Sequence, residues 1–176
     1  VALLNAGILG VSLRRRWRGV VGLAFVATLL LLSGWLLDVY RPEYRAVTLF
    51  FVTLYFGLFL GSACFYSLLR REETAAPDLL LLFANTFFYA VAGYGLLSDP
   101  PTRFPAAFPL ALCAFFTALS TLAGTRAPAN RRLRTSAGGL AVFFLVIAVP
   151  IQLDQAWIAI AWSVLAAALL TSGLWK

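Results

Sequence analysis

Six long apolar runs alternate along this chain with short gaps that collect arginine, proline and carboxylates. The runs occupy residues 19–37, 46–69, 79–97, 104–124, 137–153 and 156–175. Each is close to the length a helix needs to cross a bilayer, about 20 residues with a range of roughly 17 to 25. None alternates apolar with polar positions, so helices are expected rather than the strands of a barrel. Residues 1–13 form a shorter apolar stretch, read as the end of an earlier helix. The expected fold is all-α and polytopic: residues 1–176 form a single helical membrane domain, with six transmembrane helices and a partial one before them.

The gaps carry the residues that end helices. Residues 38–45 hold Asp38, Arg41, Pro42 and Glu43; residues 99–103 contain two consecutive prolines, which cannot continue a helix. Residues 70–78 form a charged loop, and Asp78 is placed to cap the third helix. Pro150, inside the fifth run, is expected to bend that helix and free the Val146 carbonyl, with Gln152 nearby as a donor or facing the outer leaflet. The gap at Asp154 is so short that the fifth and sixth helices should form a tight hairpin.

Charge gives these rods a direction. Of the 14 basic residues, eleven lie in alternate gaps: Arg14, Arg15, Arg16, Arg18, Arg70, Arg71, Arg126, Arg131, Arg132, Arg134 and Lys176. The intervening gaps hold three, Arg41, Arg45 and Arg103. The positive-inside rule places the first set, and the C-terminus with it, on the cytoplasmic side. Trp17 and Trp35 flank the first run and Trp157 and Trp175 the sixth, each pair about 27 Å apart along a helix, which suits an aromatic belt at each membrane surface. The basic segments around Arg14–Arg18 and Arg126–Arg134 set topology and are expected to meet lipid headgroups.

Composition narrows the chemistry. The 176 residues are 62% hydrophobic and 12% charged, too few polar groups to cover a globule in water. The net charge of +7 is explained by membrane orientation, so nucleic acid is not an expected partner. Histidine is absent, and the two cysteines, Cys64 and Cys113, lie at different depths in different runs; neither a disulfide nor a metal site is expected, and no cofactor is predicted. All seven carboxylates lie at or beyond the run ends. That argues against a proton relay or carboxylate catalysis within the membrane; no catalytic residue is assigned. Methionine is absent and Val1 opens inside an apolar run, so the chain is read as part of a larger polytopic protein. The abundance of arginine, alanine and leucine suggests a bacterial source.

What remains is packing chemistry. Gly57 and Gly61 have the spacing that lets two membrane helices approach closely. Ala159, Ser163, Ala167 and Thr171 line one face of the sixth helix and are assigned to packing as well. Asn85, Tyr89 and Gly93, each a turn apart in the third, make the most polar intramembrane face. Tyr55 and Tyr66 add hydroxyls in the second. That polar face serves either interhelical hydrogen bonding or a lipid-like ligand.

The stretch Ala-Val-Pro-Ile-Gln-Leu-Asp-Gln-Ala-Trp-Ile-Ala-Ile-Ala-Trp-Ser-Val-Leu-Ala-Ala-Ala-Leu-Leu (148–170) resembles a recurring segment of the bacterial predicted-membrane-protein family DUF2339. Arg14–Arg18 followed by Gly34, Trp35 and Tyr40 is similar to another, as is Asn85 before an aromatic-rich helix. The resemblance implies a large polytopic inner-membrane protein with further helices. It implies an architecture rather than an activity. One position departs: the family segment carries a glutamate after Trp-Ala-Leu, and Leu165 stands there. The expected function is a non-catalytic multi-pass scaffold, packing against other helices of the parent protein or against complex subunits, with membrane lipids as neighbours. The alternatives are part of a transporter for an apolar or lipid-linked substrate, and the membrane part of an enzyme whose catalytic groups lie elsewhere.

Overall fold

The structure, a computed structural model, describes residues 7, 10, 18–69, 73–98, 104–152 and 155–174. Six α-helices have both ends among them: α1 (Arg18–Gly34), α2 (Arg45–Leu69), α3 (Ala76–Leu97), α4 (Ala107–Arg126), α5 (Arg131–Gln152) and α6 (Gln155–Leu174). No strand occurs among the described residues. The fold is all-α. Five stretches are long and apolar enough to cross a membrane: Gly19–Val39, Pro42–Cys64, Ala76–Leu97, Ala107–Arg126 and Arg131–Gln152. The sixth expected span corresponds to α6, 20 residues or about 30 Å of helix. Of the partial helix expected over 1–13, Gly7 and Gly10 are described, and both are helical. Arg14, Arg15, Arg16, Trp17, Arg70, Arg71, Glu72, the 99–103 gap, Asp154, Trp175 and Lys176 lie outside the described residues.

The helix ends follow local chemistry. α1 leaves its last α turn through a single π turn, Trp35–Val39, closed by the Tyr40 N–H donating to the Trp35 carbonyl at 2.9 Å. A short 3-10 turn, Pro42–Tyr44, then leads into α2, and the Trp35 and Tyr44 rings meet at 6.3 Å. α3 begins at Ala76, with Ala75 at the cap position and no side chain capping it. Asp78 is therefore not the cap: Pro77 lies in the first helical positions, where its missing N–H costs nothing, and moves the start three residues earlier than Asp78 requires. Asp78 sits instead in the first turn, where a carboxylate complements the helix dipole. α5 begins at Arg131, six residues before its apolar run, because Asn130 caps it: the Leu133 N–H donates to Asn130 Oδ1 at 3.2 Å.

Two antiparallel hairpins make the body. α4 packs closely along α5 and α2 along α3, while α1 contacts α3 and α6 contacts α5. The main core lies where the two hairpins meet, around Phe56, Leu82, Phe116, Leu133, Leu140 and Phe144. A second cluster joins α1 to α2 through Val21, Phe25, Tyr55 and Phe59, with the Phe25 and Phe59 rings edge-to-face at 5.1 Å. Cys64 and Cys113 are both free thiols.

Candidate functional site

The α4–α5 hairpin is built from small residues. Ala123 and Ala137 are fully buried, and Ser120 Oγ donates to the Arg134 carbonyl across the seam at 3.0 Å. A methyl on Gly138 would touch Ser120 Oγ at 3.5 Å. Toward the opposite membrane face, Phe116 stacks on Phe144 with ring centroids 5.9 Å apart. Small side chains at one end and stacked rings at the other let the two backbones run close together, the arrangement that favours association when both helices are already in lipid. The Gln152 side chain then ties the far end, accepting from the Ala106 N–H at 3.4 Å. Its described hydrogen bond is thus to Ala106 rather than to the Val146 carbonyl, and the residue remains exposed.

The polar face of α3 is turned inward against α2. Asn85 is buried and its Nδ2 donates to the Phe56 carbonyl at 3.0 Å, using the second lone pair that a helical carbonyl keeps free. One turn on, the Tyr89 ring stacks on Phe56 at 4.2 Å, and its hydroxyl lies 3.2 Å from Thr53 Oγ1. A further turn on, Gly93 gives room to Phe108 of α4: a Cβ there would fall 2.5 Å from the ring's Cζ. The three residues therefore knit α2, α3 and α4 together. A cavity of about 10 Å³ remains beside them, bordered by Thr28, Tyr55, Phe59, Asn85 and Tyr89, room for roughly one water. A larger cleft of about 290 Å³ opens where α3 ends and α4 begins, between Tyr94, Phe104 and Phe108.

Gly57 and Gly61 lie on an exposed face of α2, and a Cβ on either would meet nothing within 4 Å. They are not points of close approach between the described helices. On α6, Ser163, Ala167 and Thr171 are exposed, with Thr171 Oγ1 donating back to the Ala167 carbonyl at 3.0 Å; the side chains of Ala159, Trp157 and Tyr66 lie outside the described residues. Leu165 is half-buried on the same helix.

One constellation was not read from the sequence. Asn130 is buried at the α4–α5 turn, and its Nδ2 donates to Thr74 Oγ1 at 2.8 Å in the segment leading into α3. The same amide that caps α5 thereby ties the two hairpins at the basic membrane face. An asparagine directly before a helix is a legible capping signal. It was hidden because the first turns of α5 are Arg-Arg-Leu-Arg-Thr-Ser, which hydropathy assigns to the gap. Around this turn Arg126, Arg131, Arg132 and Arg134 are all exposed. The Arg18 side chain lies outside the described residues. No group of three histidine, cysteine or carboxylate side chains converges among the described residues.

The family model described as Predicted membrane protein (DUF2339) matches residues 1–176, the whole chain. The chain belongs to the DUF2339 family of predicted membrane proteins. Membership agrees with an all-helical structure whose helices are of bilayer-crossing length. No curated protein and no solved structure matches the chain.

Proposed function

We propose that this DUF2339 chain is a non-catalytic multi-pass scaffold of a bacterial inner membrane, with its basic ends in the cytoplasm. It packs against other helices of the parent protein or complex and contacts lipid. The observation that carries this reading is the bare, exposed Gly57/Gly61 face of α2. Glycine in a helix interior costs about 0.5–1 kcal/mol relative to alanine, and in a membrane that cost is offset where a neighbouring backbone comes close. Val47 and Phe50 on α2, and Leu23 and Leu30 on α1, are exposed apolar side chains suited to lipid or to helices. The transporter reading finds less support. It needs a ligand against Asn85 and Tyr89, and those side chains are engaged with Phe56 and Thr53 beside a cavity of about 10 Å³.

A photo-reactive residue placed at Gly61 in the native membrane tests the scaffold. The expected result is a protein–protein adduct that disappears when Gly57→Leu is added. Adducts to lipid alone would overturn it.

A further inference from the structure

We draw no further inference here: the strongest candidate, the cleft of about 290 Å³ between Tyr94, Phe104 and Phe108 where α3 ends and α4 begins, opens between the two ends of the 99–103 segment, which lies outside the described residues, and nothing in the structure shows what covers its apolar wall.

Discussion

Asn85 shows what a single residue discloses and what it withholds. An amide inside an apolar run announces a hydrogen bond, because an unmade one in hydrocarbon costs several kcal/mol. Its partner is invisible in the sequence, since the Phe56 carbonyl belongs to a backbone that any residue would supply. The same holds for Gly93, whose neighbour Phe108 comes from the next helix. Replacing Asn85 by leucine keeps the number and branching of the side-chain heavy atoms and removes the bond. The loss should be about 0.6 kcal/mol, at most roughly 1.7, because the Phe56 carbonyl keeps its own helical partner. Reversible unfolding in mixed micelles would measure it, and a loss well above that range would mean Asn85 holds more than α2. Asn130 is the converse case. Its capping role was legible in principle, while its bond to Thr74 depends on two hairpins meeting.

The elements themselves were the most readable level. Continuous apolar runs of bilayer length leave helices as the structure that satisfies every backbone group within its own segment. Their ends were less readable where a polar first turn belongs to the helix, as at Arg131, or where the chain leaves through a π turn, as at Trp35. Pairing was the least readable. When a helix is apolar on every side, no stripe marks the face it buries. The glycine spacing pointed to α2, while the tightest packing joins α4 to α5 through Ser120, Ala123, Ala137 and Gly138. Those positions give a contrasting pair of variants. Ala137→Leu forces extra atoms into a fully buried seam and should destabilise the chain by about 1–3 kcal/mol. Gly57→Leu in the isolated chain meets open space and should stabilise α2 by about 0.5–1 kcal/mol. Thermal unfolding of the two proteins in one detergent compares them directly; equal effects would place the close contact elsewhere.

At the scale of the whole molecule, two hairpins cross one membrane, with one polar tie between them at one face and one polar tie within the α4–α5 pair at the other. Asn130 and Thr74 join them at the basic face, and Ala106 and Gln152 close the α4–α5 pair at the other. The asymmetry of arginine between those faces underlies the proposed orientation. A chain freed of Cys64 and Cys113 by substitution, carrying a single cysteine at exposed Glu43 or at exposed Ala129, tests that orientation with a membrane-impermeant maleimide. In intact cells stripped of outer membrane, the account predicts labelling at Glu43→Cys and none at Ala129→Cys until the membrane is opened. Labelling of Ala129→Cys in sealed cells would contradict it.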